Sequence, residues 1–166
     1  MADRLTQRAR RLRLAIFDVD GVMTDGTLWF GPRGEVMKAF NILDGHGLKL
    51  LQKAGIDTAF LSGRKSAAVA HRARELAIAH VIQGTGENKV PQFERLLSKA
   101  GVSAEECSFM GDDIQDLAVM KRCGLAVAPS NGVEAVRSSA HYVTKAHGGR
   151  GAVREFCDLV LRAREK

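Results

Sequence analysis

Two aspartates, Asp18 and Asp20, follow the apolar run Leu14 to Phe17 and precede Gly21. A strand that delivers acids to the edge of a buried sheet has this form. Burying carboxylates there is costly unless a cation or strong donors compensate. Further polar groups stand at the ends of other apolar stretches: Ser62 after A-F-L, Lys89 beyond H-V-I-Q-G, and Asp112, Asp113 and Asp116 in G-D-D-I-Q-D. Carboxylates that converge repel one another unless a hard divalent cation lies among them, and all-oxygen ligands select Mg²⁺ over zinc or copper. Around Mg²⁺, Asp18 can attack phosphorus while Lys89 and the metal offset the negative charge that repels an anionic nucleophile from a phosphate. Residues i and i+2 of a strand point the same way, so Asp20 can protonate the leaving oxygen and then deprotonate the hydrolytic water. Ser62 can donate to a phosphoryl oxygen.

Positioning these groups requires an alternating βα chain. The sequence predicts strands at Leu14–Phe17, at I-D-T-A-F-L, at H-V-I-Q-G, at C-S-F-M with the polar exit G-D-D, at G-L-A-V-A-P ending at Pro129 and at H-Y-V-T, with helices over Lys65–Ala77, Asn88–Ala100, Ile114–Cys123, about Val133–Ser138 and about 150–163. Asp44 and two glycines are expected ahead of a short helix that Gly55 stops. T-L-W-F, G-P-R-G and E-V-M-K-A-F read as a β-hairpin at about 27–40 with Trp29 and Phe30 near its tip. Regular alternation predicts an α/β fold, doubly wound around a mainly parallel Rossmann-like sheet, with the reactive groups at the carboxyl ends of the strands.

The chain has 166 residues, enough for one domain over 1–166. Cys107, Cys123 and Cys157 fit no zinc or disulfide spacing and are expected as reduced core thiols. No apolar run approaches the ~20 residues of a membrane span and no signal-peptide core is evident, so the expected compartment is the cytoplasm, without a membrane partner. The net charge of +6 suits anionic partners. The cluster Arg4, Arg8, Arg10, Arg11 and Arg13 has no interleaved aromatic, which argues against nucleic acid and for a solvated helix face or an arm.

Taken in order, D-V-D-G, L-S-G-R, Lys89 and G-D-D-x-x-D resemble the haloacid dehalogenase superfamily of phosphotransferases. The resemblance implies Asp18 as nucleophile, Asp20 as acid/base, and Ser62 and Lys89 as phosphate binders. It implies Mg²⁺ on Asp18, Asp112 and the backbone carbonyl of Asp20, with Asp113 and Asp116 orienting metal waters or Lys89. Neither gap between motifs has room for a cap domain. D-V-D-G-V-M-T-D-G, K-A-F-N-I-L-D-G-H-G, S-G-R-K and G-G-R-G-A-V-R-E-F-C-D further resemble the 3-deoxy-D-manno-octulosonate 8-phosphate phosphatase family, over about residues 13–163. That likeness implies a phosphorylated sugar acid as substrate, in lipopolysaccharide sugar synthesis. It implies a homotetramer whose hairpins pack together and whose tail approaches a neighbour's site, with Gly148–Gly151 as the expected segment. It also implies that Asn41, Ile42, Leu43, Asp44, Gly45, Lys49, Arg64 and Arg72 help Lys89 to hold the substrate. A separation of eight residues, roughly two helical turns, would let Arg64 and Arg72 share one face. Leu43 and Lys49 stand where that family often carries arginine, and His46 where it often carries tyrosine. Two alternatives are a nonulosonate 9-phosphate phosphatase and a capless phosphatase acting on nucleic-acid ends.

Overall fold

A computed structural model describes residues 2–165. Helix α1 (Ala2–Arg10) leads into β1 (Leu14–Phe17), and a long loop then reaches the hairpin strands β2 (Trp29–Gly31) and β3 (Gly34–Met37). The rest alternates: α2 (Ile42–Lys53), β4 (Asp57–Leu61), α3 (Ala67–Glu75), β5 (His80–Ile82), α4 (Val90–Ala100), β6 (Cys107–Met110), α5 (Leu117–Met120), β7 (Leu125–Ala128), α6 (Glu134–Ser139), β8 (Tyr142–Val143) and α7 (Ala152–Glu165). Six strands form one parallel sheet in the order β5-β4-β1-β6-β7-β8, and the hairpin is a separate antiparallel pair.

All four β1 residues are buried because both faces of the sheet are covered. Ala15 and Phe17 face a core built with α1, α2, α3 and α7, where Phe17 meets Phe156 edge-on at 6.0 Å. Leu14 and Ile16 face the opposite core, formed with α4, α5 and α6 around Phe93, Leu96, Phe109 and Val136. Strand order reverses beside β1, whose neighbours are β4 and β6. A crevice for ligands opens at such a point. Among the described residues no cap domain covers it, and the hairpin is the one β insertion between the first and second motifs.

Several elements differ locally from the sequence-based expectation. Asp44, Gly45 and Gly47 lie inside α2 rather than ahead of it, because Asn41 caps the helix by accepting from the amides of Leu43 and Asp44. A Cβ on Gly45 would come within 2.3 Å of Arg72, and one on Gly47 within 3.1 Å of Arg154 and Cys157. The glycines weaken the helix by about 1 kcal/mol each but admit α3 and α7 at close range. Helix α3 is shorter than 65–77, and α4 starts two residues late with Pro91 in its first turn. The expected helix 114–123 is a 3₁₀ turn, Ile114–Asp116, followed by the single-turn α5. Arg8 and Arg10 of the basic cluster donate to the carbonyls of Gly124 and Ala163, so part of that cluster fastens α1 to the sheet and α7.

Candidate active site

Strand β1 ends at Phe17, so Asp18 and Asp20 occupy the loop beyond it, where strand parity does not set their directions. The two diverge. Asp18 is buried, accepts from the Val19 amide at 2.7 Å and pairs with Lys89 Nζ at 3.0 Å. Asp20 turns towards the hairpin, where Lys38 Nζ meets its Oδ1 at 2.5 Å and Arg64 Nε its Oδ2 at 3.8 Å. Ser62, also buried, follows β4 and is fixed by its amide to the Ile82 carbonyl at 2.9 Å. Asp18, Asp20, Ser62, Gly63, Arg64, Gly86, Glu87 and Gln115 line one crevice of about 210 Å³.

Across the switch point, Asp112 lies at the end of β6 against Gly21, whose absent Cβ would sit 2.0 Å from Oδ2. Asp116 is fully buried: Oδ1 accepts from Lys89 at 2.7 Å, and Oδ2 from the amides of Asp112 and Asp113 at 3.0 and 3.3 Å. Asp116 therefore orients Lys89 and tightens the turn that presents Asp112. Asp113 is exposed and caps the 3₁₀ turn through the Ile114 amide at 2.7 Å.

Carboxylate oxygens of Asp18, Asp112 and Asp116 all lie within 4.8 Å of one another. Burial pushes Asp18 up to about 7 despite Lys89 alongside, and burial with the neighbouring carboxylates pushes Asp112 up to about 8. Burial opposes the charge of Lys89, yet Asp18 and Asp116 outweigh it and raise its pKa. Three carboxylates against one ammonium leave two negative charges, which a divalent cation matches. Asp116 is committed to Lys89 and backbone amides, so Asp18 and Asp112 are the acids left to hold the ion. This all-oxygen set fits Mg²⁺.

Of the other residues singled out from sequence, Arg64 borders the crevice and the rest lie elsewhere in their own chain. Asn41 caps α2, and buried Asp44 accepts from the amides of Arg154 at 2.8 Å and Gly151 at 3.4 Å, fastening the start of α7. Ile42 and Leu43 are exposed, and Lys49 donates to the Glu75 carbonyl at 3.3 Å. Arg64 and Arg72 do not share a helix face: Arg64 precedes α3 and borders the crevice, while Arg72 packs on Phe40 and pairs with Glu75 at 2.8 Å beside a second hollow. Gly148 and Gly149 brace their own chain, since a Cβ on either would strike the backbone between Gly21 and Asp25. Lys38 and Gln115 were not anticipated. The signal for Lys38 was a single charge inside the run V-M-K-A-F; its partner is 18 residues away, beyond any local pattern.

A family profile for haloacid dehalogenase-like hydrolases matches residues 81–156. The chain is 43% identical over 166 residues to the 3-deoxy-D-manno-octulosonate 8-phosphate phosphatase KdsC of Yersinia pestis, covering 100% of this chain and 88% of that protein. The crystal structure of the Yersinia pestis phosphatase superposes with a TM-score of 0.95 at 43% identity, over 99% of this chain and 88% of that one. The Moraxella catarrhalis phosphatase, solved with a magnesium ion, a phosphate ion and KDO, superposes with a TM-score of 0.94 at 39% identity, over 98% and 93%. Likeness over the whole chain, joined to a site that gathers Asp18, Ser62, Lys89 and Asp112 at the strand ends, leads to one assignment: the chain belongs to the haloacid dehalogenase-like hydrolases and, within them, to the 3-deoxy-D-manno-octulosonate 8-phosphate phosphatase family.

Proposed function

We propose that this chain is a Mg²⁺-dependent phosphatase that hydrolyses 3-deoxy-D-manno-octulosonate 8-phosphate to the free sugar acid and inorganic phosphate, in lipopolysaccharide sugar synthesis in the cytoplasm. The observation that carries the reading is the buried Asp18 carboxylate, 3.0 Å from the Lys89 ammonium on a crevice shared with Ser62 and Asp20. Asp18, Asp112 and the backbone carbonyl of Asp20 would hold a divalent ion, which would supply neutralisation of the phosphate charge. Lys89 and the Ser62 hydroxyl hold phosphoryl oxygens. An Asp18 oxygen bonds to phosphorus as the bond from phosphorus to the sugar oxygen breaks, and Asp20 gives that oxygen a proton. In the second step Asp20 takes a proton from water as the water oxygen attacks phosphorus, breaking the bond to Asp18 and releasing phosphate.

Of the groups expected to hold the sugar acid, Arg64 alone borders its own chain's crevice. Asn41 and Asp44 support the others by fixing the start of α2 and its junction with α7. Ile42, Leu43, Gly45, Lys49 and Arg72 then serve a neighbouring copy in a homotetramer. The exposed apolar residues of the hairpin support that assembly. Phosphate release from the octulosonate 8-phosphate, with and without Mg²⁺, tests the proposal. Asp18→Asn should abolish turnover while the melting temperature stays close to wild type. Retained turnover in Asp18→Asn overturns the mechanism, and faster turnover of a nonulosonate 9-phosphate overturns the substrate.

A further inference from the structure

Lys38 has no part in the chemistry just described, yet its side chain is only 1% exposed and both its ion-pair partners are carboxylates. One is Asp20 at 2.5 Å; the other is Glu35 of the same hairpin at 3.0 Å. Glu35 also pairs with Arg64 at 3.4 Å and accepts from the Ser66 hydroxyl at 2.6 Å, while Arg64 lies 3.8 Å from the second oxygen of Asp20. Asp20, Lys38, Glu35 and Arg64 thus close a ring of two acids and two bases. It joins three segments: the loop after β1, the hairpin, and the loop after β4 that carries Ser62. The hairpin strands turn Trp29, Phe30, Val36 and Met37 outward, so polar contacts fasten the hairpin here.

We infer that Lys38 is a positioning residue: by gripping Asp20 from a seated hairpin, it holds that carboxyl group at the angle needed to reach the leaving oxygen. The inference rests on the phosphatase reading above. Asp20 lies beyond the end of β1, so its direction must come from its contacts. Lys38 grips one oxygen and Arg64 approaches the other, which fixes the carboxyl plane as two point contacts do. The same ring makes seating of the hairpin a condition for an aligned site.

The test compares Lys38→Met, Lys38→Arg and Asp20→Asn on two Mg²⁺-dependent substrates, an alkyl phosphate and p-nitrophenyl phosphate. The ratio kcat/KM is read because it covers only the steps through release of the first leaving group. Lys38→Met should lose about 10- to 100-fold on the alkyl ester, with a much smaller loss on the nitrophenyl ester, whose leaving oxygen departs without a proton. Lys38→Arg should recover most of the lost rate. If Lys38→Met folds poorly, Lys38→Met/Glu35→Gln removes one of the two acids that Lys38 neutralised and should show the same leaving-group dependence. An equal loss on both esters, or none on either, overturns the role of Lys38 while Asp20→Asn still shows the dependence. If Asp20→Asn itself lacks it, the acid assignment fails and this inference fails with it.

Discussion

Asp18 and Asp112 hold their protons far more firmly than free carboxylates, near 7 and 8, because burial disfavours their charged forms. The consequence for stability has a definite sign. A carboxyl group whose pKa rises on folding binds more protons in the native state than in the unfolded chain at pH between the two values. Its stabilising contribution is complete below about 4 and is lost as pH rises towards 7 to 8. Metal-free protein should therefore be less stable at pH 8 than at pH 5, by on the order of a few kcal/mol. Saturating Mg²⁺ should recover the difference at pH 8 by binding the ionised acids. Urea unfolding at the two pH values with EDTA or Mg²⁺ checks this, and a metal-free protein equally stable at both would contradict the burial argument. Lys89 works from the other side of the same balance. In Lys89→Met, Asp18 and Asp116 remain buried without their cation, so unfolding free energy at pH 8 should fall by about 3–5 kcal/mol. Asp116→Asn should cost less, because Asp18 still pairs with Lys89.

The contacts between elements convert one aspartate of α2 into a support for a distant loop. Asp44 accepts from the amides of Gly151 and Arg154 around the start of α7, and the loop just before α7 presses Gly148 and Gly149 on the backbone of Gly21 to Asp25. Asp44→Ala should destabilise the fold by about 1–3 kcal/mol, as expected for losing a buried acceptor at a helix start, and thermal unfolding reads the change. Gly148→Ala should act chiefly on catalysis. Its methyl group would lie 1.8 Å from the Gly21 carbonyl, so the loop carrying Asp20 must shift, and a displacement near 1 Å can cost about 100-fold in rate. Unchanged phosphatase activity in Gly148→Ala would show that this brace is dispensable. Sequence periodicity made the strands and their acidic exits legible because apolar runs and the polar groups that end them are local patterns. It misplaced Asp44 and the glycines of α2, since only the approach of Arg72, Arg154 and Cys157 explains why a helix contains them. Asp18, Ser62, Lys89 and Asp112 could be picked out by their ordered motifs. Lys38 could not, because a pairing from hairpin to loop leaves no mark in residue spacing.

Charge and exposed apolar surface act over the whole molecule and point to different partners. The net charge of +6 suits an anionic substrate, while Arg8, Arg10 and Arg164 donate to backbone carbonyls. The apolar surface is concentrated differently. Trp29, Phe30, Val36 and Met37 of the hairpin, with Ile42 and Leu43 at the start of α2, are all more than half exposed. Large exposed apolar groups on neighbouring segments mark an interaction surface, and burying each can contribute about 1.5–3 kcal/mol. In the proposed tetramer the hairpins meet and cover these residues, while the ring formed by Lys38, Glu35, Arg64 and Asp20 carries their seating into the crevice. Light scattering of wild-type protein at micromolar concentration should then give four times the 18.0 kDa chain mass. Trp29→Glu/Phe30→Glu should give a smaller species, because paired copies would have to bury those charges. Its thermal midpoint should fall only slightly if each chain keeps its own two cores, and its kcat should fall more than that of the unaltered tetramer diluted to the same chain concentration. A wild-type monomer at these concentrations, or a Trp29→Glu/Phe30→Glu tetramer, would remove the hairpin from the assembly and leave its ion-paired inner side as its sole tie to the site.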